Sequence, residues 1–134
     1  MVWTGRIISG FIILFMLFDG GAKVARFAPY VKGTVEAGYA DSLVVPIGII
    51  GLFCTILYAI PQTSILGAIL LTGYYGGATA THVRLGQPWY FPVVFGILVW
   101  VGMYLREPRL RELVPLRKLG AATAPARAPE VGRA

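Results

Sequence analysis

The forty residues from Ser42 to Thr81, SLVVPIGIIGLFCTILYAIPQTSILGAILLTGYYGGATAT, contain no charged side chain. A helix needs about 20 predominantly apolar residues to cross a hydrocarbon core ~30 Å thick, so this run has twice the required length. It also carries its own break, at Pro61-Gln62-Thr63. Proline lacks the amide hydrogen that a continuing helix needs, and the next two side chains are polar. The stretch therefore reads as two antiparallel helices, residues 43–60 and 64–82, joined by a short hairpin.

A second uncharged run covers Leu85–Leu105 and supports a helix over 89–105, ending before Arg106. Trp89 and Tyr90 at one end, and Trp100 and Tyr104 near the other, match the aromatic belts of a bilayer interface. Toward the N-terminus only Ile7–Phe18 separates Arg6 from Asp19, and twelve residues rise about 18 Å. A helix over 3–22 reaches across if Asp19 is tolerated near its end. The same stretch also has the pattern of a signal peptide, with one positive residue, a short apolar core and small residues after it. Lys23 interrupts the small-residue site, so an uncleaved helix is expected.

Composition agrees with this pattern. The 134 residues are 57% hydrophobic and 13% charged, with a mean hydropathy of +0.72. Soluble domains carry about 25% charged residues, so too few are present to coat a solvated globule. A soluble enzyme, a disordered regulator and a disulfide-rich secreted module are excluded. The expected fold is all-α: an integral membrane four-helix transmembrane bundle, up-down-up-down, with both termini on one side. Residues 1–118 form the membrane domain, 106–118 a basic interfacial segment, and 119–134 a disordered Ala/Pro-rich basic tail. Residues 23–41 make the one long connection, with a short interfacial helix expected around Ala22–Tyr30.

The net charge of +6 would suggest nucleic acid in a soluble protein. Here Arg106, Arg109, Arg111, Arg117 and Lys118 crowd after the last apolar run, which reads as an orientation signal and an anionic-lipid contact. Six Lys and Arg, counting Arg6, flank the spans on the side of the termini, against Lys23, Arg26, Lys32 and Arg84 on the other. Both termini are therefore expected in the cytoplasm of a bacterial-type cell, with the chain multi-pass in the inner membrane and the lipid bilayer, not nucleic acid, as its partner.

Lipid tails are as apolar as leucine, so close backbone approach at small residues drives helix association. Ala68, Thr72, Gly76 and Ala80 recur every four residues on the third span, with Gly73 and Gly77 beside them. Gly48, Gly51 and Thr55 form a weaker set on the second. The third span is expected at the bundle centre. Its small face offers either compact packing or room for a flat ligand such as a quinone, flanked by Tyr74 and Tyr75.

Ionisable groups inside spans are costly, about 2.5–3.5 kcal/mol at mid-span. Asp19 ends the first span, with Lys23 at i+4 and Arg26 at i+7 on the same face if the helix continues; His82 and Arg84 end the third. In the expected topology both ends reach the outer leaflet, which brings Asp19, Lys23, His82 and Arg84 to one mouth. Two accounts stand there, besides that of a partner-docking patch. One is an Asp19–Lys23 ion pair with Arg84 snorkelling to headgroups and His82 capping its helix. The other is a proton-exchanging or quinone-headgroup site in which His82 titrates. One histidine cannot make a bis-histidine haem, no cluster offers a metal site, and no nucleophile–base pair assigns a catalytic residue. The single cysteine, Cys54, lies in an apolar run and reads as a core residue.

Leu66–Arg106, LGAILLTGYYGGATATHVRLGQPWYFPVVFGILVWVGMYLR, resembles the DoxX-like branch of the DoxX superfamily. Arg6, Gly10, Gly20 and Lys23 resemble that superfamily's opening pattern of Arg, then Gly, then Gly-x-x-Lys. The resemblance implies a four-helix integral membrane protein. Some superfamily members are small membrane subunits of thiosulfate:quinone oxidoreductase, and others are tied to membrane complexes handling oxidative stress. The function this implies is an accessory subunit of a quinone-linked or oxidative-stress redox system, not catalytic on its own. Its partner would be a second membrane or peripheral redox subunit, or a second copy in a homo-oligomer. Two alternatives stand beside it: a quinone-binding oxidoreductase subunit, and a small-molecule or lipid transporter or binding protein.

Overall fold

The computed structural model describes residues 1–116. Arg117, Lys118 and the tail expected at 119–134 lie outside the described residues. Every regular element among those described is helical: α1 (Val2–Val24), α2 (Ala28–Glu36), α3 (Val44–Ala59, entered through a 3-10 turn at Asp41–Leu43), α4 (Ser64–Arg84), α5 (Tyr90–Arg106) and α6 (Pro108–Leu113).

Local chemistry sets the ends of these helices. Pro61 lies in the turn between α3 and α4, where the Thr63 hydroxyl donates to the Leu57 carbonyl at 2.8 Å and the Ser64 hydroxyl to Pro61 at 3.1 Å. The first of these bonds satisfies a carbonyl that the C-terminus of α3 leaves open. Gly86, at φ +67°, makes the turn into α5 with a backbone conformation that glycine adopts without strain. Glu107 caps α6 by accepting from the Arg109 amide, with Pro108 in the first turn.

The four long helices pack in a closed ring, α1 against α3, α3 against α4, α4 against α5 and α5 against α1. Neighbours run in opposite directions. Gly20 meets Gly48 and Ser9 meets Tyr58 along α1 and α3; Gly5 meets Gly102 and Phe15 stacks on Phe91 and Phe95 along α1 and α5. On the other side Gly51 faces Tyr74 and Gly67 abuts Tyr58, while Thr72 binds Trp100 and Tyr75 faces Gly96.

Ile12, Met16, Cys54, Tyr58, Ala68, Leu71, Val99 and Met103 fill the interior, together with the polar Ser9, Thr55 and Ser64. The outside is more apolar than the inside requires. Ile7, Phe11, Leu14 and Phe18 on α1, Ile49, Phe53 and Ile56 on α3, Ile65 and Ile69 on α4, and Val94 and Ile97 on α5 are all exposed. Soluble monomers rarely expose contiguous apolar surface beyond a few hundred Å², whereas hydrocarbon solvates it without cost. Val2–Val24 and Asp41–Ala59 are long and apolar enough to cross a membrane, and Tyr90–Arg106 is apolar but shorter. With 21 residues α4 has the length, while its glycines, threonines and tyrosines lower its hydropathy.

Three expectations are corrected here. The short helix expected around Ala22–Tyr30 lies at Ala28–Glu36. Residues 22–24 continue α1, the chain reverses at Arg26 with φ +56°, and Pro29 can occupy only the first turn of the helix that follows. Arg26 consequently leaves the face of Asp19 and Lys23 and pairs with Asp41 at 2.8 and 2.9 Å. The α4 helix does not sit at a centre, because a ring of four has none. Its stripe does not bring backbones together: a methyl group added at Gly73, Gly76 or Gly77 would meet nothing within 4 Å. Close approach falls instead to Gly5, Gly20, Gly48, Gly67 and Gly102.

Two arginines of the basic segment turn inward. Arg106 donates to the Tyr58 carbonyl at 3.0 Å and lies over the Tyr58 ring, and Arg111 donates to the carbonyls of Tyr104 and Leu105. Both cations sit on the open carbonyls of helix C-termini, where the helix dipole favours positive charge.

Candidate functional site

Asp19 and Lys23 stand one turn apart near the end of α1 and form an ion pair at 2.7 Å. Their side chains are only 16% and 14% exposed, and such a burial must be offset by further hydrogen bonds. Tyr74, from the opposite helix α4, supplies them. Its oxygen accepts from Lys23 at 3.0 Å and its hydroxyl donates to Asp19 Oδ2 at 3.3 Å, closing a triangle. An ammonium has three hydrogens, so one N–H of Lys23 remains for another acceptor.

This triangle borders a groove of about 590 Å³ at the rim of the ring. Residues 29–39, comprising most of α2 and the loop after it, roof the groove. Ile47 and Ile50 of α3 make an apolar wall, and Gly73 and Gly77 of α4 make an open floor. Two contacts pin the roof to α4. Thr81 spends its proton on the Gly77 carbonyl at 2.9 Å, so the Tyr39 hydroxyl donates to Thr81 Oγ1 at 2.7 Å. Arg84 donates to the Ala37 carbonyl at 3.0 Å. His82 lies in the same groove, 2.7 Å through Nδ1 from the Ala78 carbonyl. A carbonyl only accepts, so Nδ1 carries a proton, and in the neutral ring the Nε2 lone pair is left to accept.

The four ionisable residues thus divide. Asp19 and Lys23 are bonded together and His82 lines the groove that Lys23 enters, while Arg84 stays apart as a clamp on the roof. The small residues divide too. Gly73 and Gly77 belong to this groove, whereas Thr72, Tyr75 and Gly76 line a second, largely apolar groove of about 790 Å³ between α4 and α5. Thr72 is occupied there by the Trp100 indole N–H at 2.7 Å. Ala80 is exposed and belongs to neither. Sequence reasoning placed Tyr74 beside a ligand but not as the third member of the ion pair, and it missed Tyr39 and Thr81. Tyr74 could have been found by aligning the antiparallel helices: Gly51 sits level with both Met16 and Tyr74, which puts the phenol one turn from Asp19.

Among the described residues no group of three or more His, Cys, Asp or Glu could hold a metal ion. What the groove offers is one cationic donor, one imidazole acceptor, a flat open floor and an apolar wall, with the Glu36 carboxylate on its roof. That combination suits an amphipathic molecule with a polar, hydrogen-bonding head.

No curated protein and no solved structure matches the chain. The sequence model of the DoxX-like family matches residues 7–102, a span that includes the ion pair, Tyr74, His82 and the glycine floor of the first groove. The chain belongs to the DoxX-like family and is a membrane protein.

Proposed function

We propose that all four long helices cross the bilayer as an up-down-up-down bundle, with both termini cytoplasmic and the rim groove in the outer leaflet of a bacterial-type inner membrane. In that setting the protein serves as an accessory subunit of a membrane redox system by holding a quinone-type ligand in the groove. The observation that carries this is the open glycine floor of Gly73 and Gly77 beneath the Asp19–Lys23–Tyr74 triangle. A quinone is a flat ring with two carbonyl acceptors and an apolar tail. The remaining Lys23 N–H meets an acceptor, His82 Nε2 meets the hydroxyl of the reduced form, and Ile47 and Ile50 face the tail. The Asp19–Lys23 pair is itself neutral, so Lys23 presents a donor to an uncharged ligand without bringing net charge.

The test uses protein purified in mild detergent from bacterial membranes, with extraction and mass spectrometry of bound small molecules. Wild type is expected to carry a quinone. His82→Ala and Gly77→Leu are each expected to reduce it at least tenfold. The first side-chain carbon at position 77 meets nothing within 4 Å, so Gly77→Leu should fill the floor without lowering the melting midpoint. Equal quinone retention in all three proteins, or phospholipid as the only extracted molecule, contradicts the assignment; the latter outcome favours a lipid-binding protein.

A further inference from the structure

The second groove, about 790 Å³ between α4 and α5, takes no part in holding the quinone-type ligand. It follows α5 from Pro92 to Leu105, about 20 Å of helix, and ends against Leu110, Val114 and Pro115. One leaflet of a ~30 Å hydrocarbon core is about 15 Å deep, so the groove is long enough for a whole acyl chain. Its polar groups are spent inside the protein. The Trp100 indole donates to Thr72 Oγ1 at 2.7 Å, and the Thr72 and Thr79 hydroxyls donate to the carbonyls of Ala68 and Tyr75 at 2.7 and 2.8 Å. The Tyr75 hydroxyl is itself buried and so is not presented to the groove. Gly76 leaves width, since a methyl group there would meet nothing within 4 Å.

A charge stands at one end of this apolar length. Arg111 donates from Nε to the Tyr104 carbonyl at 2.8 Å and from Nη2 to the Leu105 carbonyl, and its Cζ lies 5.9 Å from the centre of the Tyr104 ring. Tyr104 and Leu105 both line the groove, as do Leu110 beside Arg111 and Val114 one turn on, so the cation is fixed at the α6 end of the groove. Two of its five N–H donors are used on those carbonyls and three remain. Among the described residues no carboxylate pairs with it. Glu107 accepts from the Arg109 amide, and Glu112 is exposed.

We propose that this groove is a binding site for one anionic phospholipid, with an acyl chain lying between α4 and α5 and the headgroup phosphate on Arg111. A guanidinium already held by two bonds keeps its remaining N–H groups in a fixed plane, and that fork matches two phosphate oxygens. Hydrocarbon gains little by leaving the bilayer for an apolar groove. The groove therefore decides where the chain lies, and Arg111 decides which lipid is held. A zwitterionic lipid carries its own cation beside the phosphate, which competes with Arg111; an anionic one does not. That the lipid comes from the cytoplasmic leaflet rests on the topology proposed above, whereas the site itself does not.

The test is native mass spectrometry of the full chain in mild detergent, titrated with phosphatidylglycerol or phosphatidylcholine. Wild type is expected to retain one phosphatidylglycerol in preference to phosphatidylcholine. Arg111→Gln should weaken that retention at least about tenfold, the least that a hydrogen bond to a charged group contributes. Arg109→Gln, on the same short helix and exposed, should weaken it by no more than about fivefold, the share of one cation in a general surface attraction. Gly76→Leu fills the groove and leaves every arginine in place, so it should abolish retention even if Arg111→Gln does not fold. Equal binding of the two lipids, equal losses in the two arginine variants, or unchanged retention in Gly76→Leu each overturn the proposal. The two grooves fail separately. Phosphatidylglycerol held by a chain that carries no quinone refutes only the ligand of the rim groove, and quinone held by a chain indifferent to headgroup refutes only this site.

Discussion

Gly67→Ala is expected to abolish accumulation of folded protein, or to lower its stability by at least about 3 kcal/mol, although it adds a single methyl group. Overpacking usually costs about 1–3 kcal/mol because flexible side chains move aside. No side chain is available to move here. The added carbon would fall inside van der Waals contact of the backbone nitrogen and Cα of Tyr58, and 2.7 Å from the carbonyl carbon of Leu57. Relief requires α3 and α4 to separate at their shared turn, which would also break the Thr63–Leu57 bond. The control is Gly76→Ala, where the new methyl meets nothing within 4 Å. Relief of glycine's backbone entropy should then raise stability by up to about 1 kcal/mol. Expression level and melting midpoint measure both, and equal behaviour of the two variants would mean that α3 and α4 do not touch where the structure places them.

Asp19→Ala should destabilise by about 3 kcal/mol, the second large effect. Removing one partner of a buried ion pair leaves the other charge desolvated and unpaired. Lys23 would keep only the Tyr74 oxygen at 3.0 Å. The double variant Asp19→Ala/Lys23→Leu should recover most of that loss, since an apolar pair of similar volume carries no unpaired charge. It should also lose the groove ligand, because the donor is gone. Recovery of stability without recovery of ligand separates the fold from the site. A double variant as unstable as Asp19→Ala would show that Lys23 is not where the cost arises.

The helix ends were legible in the sequence because single residues dictate them. Pro61 cannot continue a helix, and Arg106 ends an apolar run at the point where polar surroundings resume. The pairing of Asp19 with Lys23 followed from their i,i+4 spacing alone. Packing partners were less legible, because a small residue reads the same whether it touches a neighbour or open space. Gly67 and Gly77 are indistinguishable by type; only the antiparallel alignment of α4 with α3 puts Gly67 against the Tyr58 backbone and leaves Gly77 as a groove floor. Where the arginines reach was less legible for a related reason. A cation beside a bilayer can reach outward to phosphate or back to its own helix end, and Arg106 and Arg111 reach back to carbonyls. The α2 roof was displaced because the reversal at Arg26 uses a positive φ in a residue whose type does not announce it.

Four crossings, with the groove in the outer leaflet, are the central claim, and a topology measurement tests them most directly. Two fusions suffice, each in an otherwise unaltered chain: a reporter active only in the cytoplasm after Ala134, and one active only outside it inserted at Gly38, in the exposed turn between α2 and α3. Both reporters are expected to be active, which places the termini inside and the roof of the groove outside. An inactive reporter after Ala134, or an inactive one at Gly38, would contradict the four-span arrangement and remove the groove from the leaflet assigned to it.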